Sequence, residues 1–287
     1  WVTAETQGLT SHALFWPGSE AAIDGVRPTE WLTYDSSIPG EARVDQILAW
    51  LDLPAEARPD FMTLYFSTVD SHGHRHGPEH ANVGRALAEV DAHMQRLLDG
   101  LEARGLSDAL NILIVSDHGM SPTSQERVII LDDYIDLDDV FIVDYSPVAM
   151  MNVRNGRTTP EALVAALDAA PHSSAYLRAD VPAALNFHGH DRIPEVIMIA
   201  DDTWSISTRD FFEDDPARAD GGAHGYDPRL ASMLSLAIAH GPAFRAAHTI
   251  DKGYAVDFYE AMTAVLGLDP APNDGSAERA RRLLHDE

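Results

Sequence analysis

Two apolar runs rich in β-forming residues break off abruptly into polar, glycine-containing turns that open on aspartate. FMTLYFSTVD ends at Asp70 and continues SHGHRHGP; LNILIVSD ends at Asp117 and continues HGM. Amphipathic helical patterns stand between and beyond such runs. Strands alternating with helices call for a largely parallel sheet covered by helices on both sides, an α/β fold. In an open α/β sheet, side chains at the carboxyl ends of buried strands converge on a crevice, and both aspartates stand at such ends.

The clearest helix is 82–104. Val83, Ala86, Leu87, Val90, Met94, Leu97, Leu98 and Leu101 recur at helical spacing, and Gly105 suits a C-terminal stop. Arg43–Leu51 places Val44, Ile47, Leu48 and Leu51 on one helical face. Further helices are expected at 160–170, with Pro160 near its start, and at 256–266 and 277–284. Buried strands are expected at 61–69, 109–116, 195–200 and 233–239, and two more at 140–144 and 148–154 around Pro147. Leu14–Trp16 is a short apolar run closed by Pro17-Gly18. Residues 140–215 are less regular and read as an antiparallel edge or a small subdomain set within a single catalytic-type domain over 1–287. The Asp-rich stretch 132–139 lacks calcium-loop spacing and reads as a solvated loop and short helix. Residue 1 is Trp, and WVTAETQG reads as a strand entered midway, so the sequence is expected to be a piece of a longer chain.

Composition narrows the chemistry. With 46 acidic against 20 basic residues the formal charge is -26, which disfavours binding to a nucleic-acid duplex. Cysteine is absent, so disulfides, thiolate metal sites and thiol nucleophiles are excluded. No stretch approaches the roughly 18 apolar residues of a membrane span, and no signal segment is recognisable.

The remaining chemistry lies in carboxylates and imidazoles, the ligand types that zinc and similar ions take. Asp70 and His74 are four apart and would share a face if the chain turns helical after the strand, but His72, His76 and His80 compete with His74 on spacing alone. Asp117 and His118 could face one cleft if the backbone bends at Gly119; otherwise the aspartate caps a turn and the histidine is solvated. His224 stands in the glycine-flanked loop GGAHGYDP, which allows close backbone approach, but taken alone it reads first as an ordinary turn histidine. His188-Gly189-His190 has no strand-end acid beside it except Asp191 and reads as a hairpin connection.

At these residues the chain resembles the nucleotide pyrophosphatase/phosphodiesterase family of the alkaline phosphatase superfamily. The family's D-x-x-G-H-x-x-G-P stands at Asp70–Pro78, its S-D-H-G-M at Ser116–Met120, and its H-G-Y-D at His224–Asp227. FWPGSEA (15–21), TLYF (63–66), GPAFR (241–245) and PAPNDGS (270–276) match as well, so the likeness runs nearly end to end.

The resemblance implies an alkaline-phosphatase-like three-layer sandwich and a cofactor of two zinc ions. Asp70, His74 and His224 would hold one zinc, and Asp117 and His118 the second; His72 and His76 would not be ligands. It implies hydrolysis of nucleotide phosphodiester or pyrophosphate bonds to a nucleoside 5′-monophosphate, through a covalent threonine intermediate. That threonine, with a further aspartate, falls upstream of residue 1; Thr3, Thr10 and Thr33 are not in its context. The substrate would be a small nucleotide, its base met by Tyr65 and Tyr34, with Trp16, Pro17 and Glu20 nearby. Location would be periplasmic or secreted. The lack of cysteine and the single lysine, Lys252, point to a bacterial member. Two alternatives stay open: a catalytically silent fragment awaiting its N-terminal segment, supplied as a separate chain, and a phosphodiesterase for lipid or choline-type head groups. A sheet position left open would favour self-association.

Overall fold

The computed structural model describes residues 1–154 and 156–285. In chain order the elements are α1 (Val2–Thr6), β1 (Ser11–Leu14), β2 (Glu30–Trp31), α2 (Gly40–Leu51), β3 (Phe61–Leu64), α3 (Thr68–His76), α4 (Ala81–Ala103) and β4 (Ile112–Val115). Then come β5 (Ser121–Thr123), β6 (Val128–Ile130), β7 (Val140–Asp144), β8 (Val148–Val153), α5 (Pro160–Leu167), β9 (Ser173–Leu177) and β10 (Val196–Ala200). The chain closes with β11 (Ser205–Ser207), α6 (Arg209–Asp214), β12 (Gly221–Ala223), β13 (Ala237–His240), α7 (Asp257–Leu266) and α8 (Ala277–Ala280). They fall into two compact units: Trp1–Ser67, Ala88–Val115 and the segment from Ala237 form the first, Thr68–Leu87 and Ser116–Leu236 the second.

In the first unit β1 pairs in parallel with β2 and β3, and β4 pairs antiparallel with β13. Its core gathers Leu14, Phe15, Val44, Ile47, Leu48, Trp50, Leu51, Leu97 and Leu101. α2 approaches α4 closely because Gly100 carries no side chain where the Leu48 methyls sit. The buried stripe of α4 is narrower than its apolar pattern: Ala86, His93, Leu97 and Leu101 are buried, while Leu87 and Leu98 are exposed. Those two leucines each follow a buried position by one residue, about 100° round the helix, so they fall off the stripe. His93 takes a core place instead, stacked on Phe66 with ring centroids 5.4 Å apart.

Several boundaries differ from expectation. The opening residues form a helix, α1, not a strand. The run 61–69 divides: the ladder to β1 ends at Leu64, and α3 starts at Thr68. The strands expected at 109–116 and 233–239 shrink to β4 and β13, which are only partly buried or exposed. Among the described residues β13 has one hydrogen-bonded neighbour, β4, so it is not covered as a central strand would be. The helix expected over 277–284 stops at Ala280, because Leu283 and Leu284 turn to hydrogen-bond the backbone of Arg245 and Phe244.

α7 and α8 are joined by an ion pair. The Asp257 carboxylate, almost fully buried, accepts from Arg279 Nε and Nη2 at 2.6 Å each and from the Ser276 amide at 2.9 Å. The Arg279 hydrogen bonds hold the Asp257 carboxyl below the usual aspartate range, against the opposing effect of burial. A depressed folded-state pKa contributes stability above the unfolded value and loses it as pH falls through the folded one. Asp257→Ala is therefore expected to cost about 2–3 kcal/mol at pH 7, as for a buried carboxylate whose hydrogen-bonded partner is half exposed. The cost should shrink as pH is lowered below about 4. Urea unfolding of both proteins at pH 7 and pH 3 checks this; an equal difference at both pH values would refute it.

In the second unit β7, β8, β10 and β9 form an antiparallel sheet in that order, while β11 pairs in parallel with β6 and β12 antiparallel with β5. Met151, Val196, Ile197 and Met198 are fully buried in or beside its core. α5 lies against β9 and β10. It begins as its sequence dictates, with Thr159 Oγ1 capping the Ala162 amide and Pro160 in the first turn. The Asp-rich stretch forms two short 3₁₀ turns, Leu131–Asp133 and Leu137–Asp139. His188 and His190 are exposed in the connection between the antiparallel neighbours β9 and β10.

Candidate metal centre

α3 makes Asp70 and His74 neighbours one turn apart, with His74 Nε2 3.3 Å from Asp70 Oδ1. His72, His76 and His80 form a row of their own, His72 beside His76 at 5.6 Å and His76 stacked on His80 at 4.9 Å between ring centroids. The backbone of α3 sits directly on β12. A side chain on Gly221 would strike the carbonyl of His74, and one on Gly222 would lie 2.6 Å from the carbonyl of Gly73. Gly73 in turn leaves room for Met120. This glycine contact brings the residue after β12, His224, to α3: its Nε2 is 3.7 Å from Asp70 Oδ1.

The β5–β12 ladder does the rest. Ser121 pairs with Ala223, so the loop before β5 lies beside the loop after β12. His118 stacks on His224, ring centroids 3.4 Å apart and planes 10° from parallel. Donor atoms of Asp70, His118 and His224 all lie within 4.8 Å of one another. His74 flanks this trio. Asp117 is the most exposed of the five, with Oδ2 3.4 Å from His118 Nε2.

Hydrogen bonds orient two of the rings. His74 Nδ1 donates to the Gly222 carbonyl at 2.9 Å, and His118 Nδ1 to the Gly119 carbonyl at 2.8 Å. Each leaves Nε2 as a bare lone pair, the arrangement in which imidazoles bind metals. Burial, and then the proximity of His118 and His74, holds His224 below the ordinary histidine range, outweighing Asp70 and Asp117. Asp70 Oδ1 is buried without a hydrogen-bond donor, although two imidazole nitrogens face it. Electron-pair donors converging on a buried carboxylate oxygen are stabilised by a cation between them, so these residues fit a divalent metal ion.

The aromatic residues expected near a base lie in the first unit. Tyr34 meets Tyr65 at 6.2 Å with planes 63° apart, and meets buried Phe15 at 5.2 Å. The Tyr34 hydroxyl is 3.1 Å from Ser67 Oγ, and its amide donates to Glu20 Oε1 at 2.6 Å. Trp16 is 41% exposed and Tyr34 44%. Tyr65 is partly buried, its carbonyl accepting from Arg43 Nη1 at 2.9 Å.

Sequence reasoning missed the scaffolding. Gly73, Gly221 and Gly222 carry the close contact under the site, and the paired glycines before His224 were its one legible sign. Tyr226 is buried and donates to the Trp204 carbonyl at 2.9 Å; burial and the nearby Asp202 raise its pKa.

An α/β chain that gathers a carboxylate and three imidazoles in this way is a candidate metal-centre protein. Residues 1–227 match the family model described as type I phosphodiesterase / nucleotide pyrophosphatase. The chain is 36% identical to the venom phosphodiesterase CdcPDE of Crotalus durissus collilineatus, over 99% of its own length and 35% of the relative's. It is 35% identical to bis(5′-adenosyl)-triphosphatase ENPP4 of Bos taurus, over 100% of this chain and 62% of that protein. Among solved structures, human ectonucleotide pyrophosphatase / phosphodiesterase 5 superposes with a TM-score of 0.93 at 33% identity, covering 100% of this chain and 74% of that one. An inactive murine form of the same enzyme, in complex with AMP, superposes with a TM-score of 0.92. The chain belongs to the type I phosphodiesterase / nucleotide pyrophosphatase family, and its fold is alkaline-phosphatase-like. It spans about a third of the length of the venom phosphodiesterases it matches.

Proposed function

We propose that the protein hydrolyses phosphodiester or pyrophosphate bonds of nucleotides, releasing a nucleoside 5′-monophosphate, at a centre built on Asp70, His74, Asp117, His118 and His224. The observation that carries this reading is the convergence of Asp70, His118 and His224 within 4.8 Å, in a chain whose residues 1–227 match the type I phosphodiesterase / nucleotide pyrophosphatase model. The AMP complex of the murine relative supports a nucleotide as substrate.

In this reading the metal is zinc, two ions, with Asp70, His74 and His224 on one and Asp117 and His118 on the other. Bound there, such ions supply charge neutralisation and polarisation at the phosphoryl group. The chain's own residues do the positioning. The Gly222 and Gly119 carbonyls hold the Nδ1 protons of His74 and His118, so that both Nε2 atoms keep their lone pairs. In this reading the hydrolysis passes through a covalent threonine intermediate, which splits one displacement into two. For the base we propose Tyr65, Tyr34 and Trp16. With the two tyrosine rings 63° apart, a base stacked on one meets the other by its edge. Secretion or export to the periplasm completes the reading, supported by the venom and ectonucleotide names of the relatives. Among the described residues no helix is long and apolar enough to cross a membrane.

Calorimetry of AMP against the zinc-loaded chain tests this. AMP is expected to bind only with metal present and to outcompete phosphocholine. Tyr65→Ala should weaken AMP by about tenfold or more, the loss of one base–aromatic stack, and leave zinc affinity unchanged. Metal-independent AMP binding, or a preference for phosphocholine, would overturn the nucleotide reading.

A further inference from the structure

The parallel stack of His118 on His224 joins two loops far apart in the chain, and one turn, which carries Asp202, is hydrogen-bonded to both. Asp202 lies in the turn between β10 and β11. Its Oδ1 accepts from Ser121 Oγ, and its Oδ2 accepts from Ser232 Oγ at 2.9 Å. Ser121 is fully buried at the head of β5, three residues after His118. Ser232 supplies the backbone wall against which Gly119 is packed, and the Gly119 amide donates to the neighbouring Met233 carbonyl at 3.2 Å. The carboxylate thus holds the His118 loop from its downstream end and from the wall behind it.

The same turn also holds the other loop. The Tyr226 hydroxyl, two residues past His224, donates to the Trp204 carbonyl at 2.9 Å. Arg127 Nε anchors the turn itself, donating to the Thr203 carbonyl at 3.1 Å. We infer that Asp202 is a positioning residue, clamping the His118 loop so that its ring lies parallel to that of His224. It lies outside the ligand cluster, and its effect passes through Ser121 and Ser232. In its consequence for metal affinity the inference rests on the function proposed above; in its consequence for ring geometry it does not.

The experiment reads both. In the metal-free chain, the carbon-bound ring protons of His118 and His224 should be shifted upfield by their 3.4 Å stack. Asp202→Ala should move these resonances toward unstacked values and weaken zinc binding about tenfold, the lower end of what loss of an outer-layer support costs. Asp202→Asn should restore most of both, because an amide can accept from one serine and donate to the hydroxyl oxygen of the other. Ser121→Ala and Ser232→Ala, each removing one hydrogen bond, should produce intermediate shifts and stand in if Asp202→Ala does not fold. Leu167→Ala, a truncation in the core of the same unit, is the control and should change neither readout. Unchanged ring shifts in the Asp202 and serine variants, with zinc bound normally by the parent, would overturn the inference and spare the proposed function. The same disturbance from Leu167→Ala would overturn it as well. Ring shifts that respond to Asp202 in a chain that binds no zinc would uphold the inference and overturn the function.

Discussion

Asp70→Asn is expected to lower zinc affinity by at least about 100-fold, the upper end of what even an outer-layer substitution costs a metal site. Asp70 is the one residue of the cluster that faces two imidazole nitrogens at once, at 3.3 and 3.7 Å from a single oxygen. Asparagine preserves shape and one acceptor but removes the charge that offsets the cation. It also presents an amide that can donate to an imidazole lone pair, filling the place a metal would take. A competitive chelator titration measures the affinity directly. Thermal unfolding gives an independent check: a ligand at 100 times its dissociation constant stabilises the folded state by about 2.7 kcal/mol. At the same concentration a variant 100-fold weaker gains only about 0.4 kcal/mol, so zinc should raise the apparent Tm of the parent chain and move that of the variant far less. Affinities within threefold of each other would remove Asp70 from the centre.

Gly119→Ala should be among the most damaging small substitutions in the second unit. A methyl group there would strike the Ser232 carbonyl, come within 2.9 Å of its carbon, and meet the Leu234 carbonyl oxygen at 3.1 Å. These are backbone atoms, which cannot step aside as a side chain would. The loop must shift instead, breaking the Gly119 amide to Met233 carbonyl hydrogen bond and carrying His118 off its stack. A cost of about 3 kcal/mol is expected, in the range for overpacking a well-filled interior, together with a loss of zinc affinity. Gly84→Ala makes the comparison sharp. Gly84 lies in α4 with nothing within 4 Å of where the methyl would go, and alanine there should stabilise by about 0.5–1 kcal/mol. Urea unfolding of the two variants should displace the midpoint in opposite directions; a Gly119→Ala chain as stable as its parent would mean the loop is not held as described.

The sequence put Gly84 inside a helix and Gly119 at a bend, but the clash that makes one intolerant of a methyl group lies in atoms across a gap, which no local pattern marks. The same holds for histidine. His72, His74 and His76 alternate along one segment, and spacing alone could not choose among them. The family motif favoured His74; the structure turns it toward Asp70 and sets His72 and His76 in a separate row with His80. Strand boundaries failed at 61–69 and 233–239 because apolar β-formers mark what a segment can do, while its length as a strand is set by how much ladder a neighbour offers. At Leu64 the ladder to β1 runs out, and the chain turns helical within four residues.

By itself the sequence determined what depends on near neighbours along the chain. It placed α4 by periodicity and Gly105, α5 by Pro160 near its start, and it set Asp70 and His74 four residues apart, which is one turn once the segment is helical. The motifs were enough to mark the family. Tertiary structure alone decided that His118 and His224 meet Asp70, and that Asp202 backs the His118 loop. The physical reason is that these residues come from segments whose approach depends on glycines without side chains, on the β5–β12 register and on a carboxylate shared by two serines. Such contacts have no period and no local signature; they exist only once the chain has closed on itself.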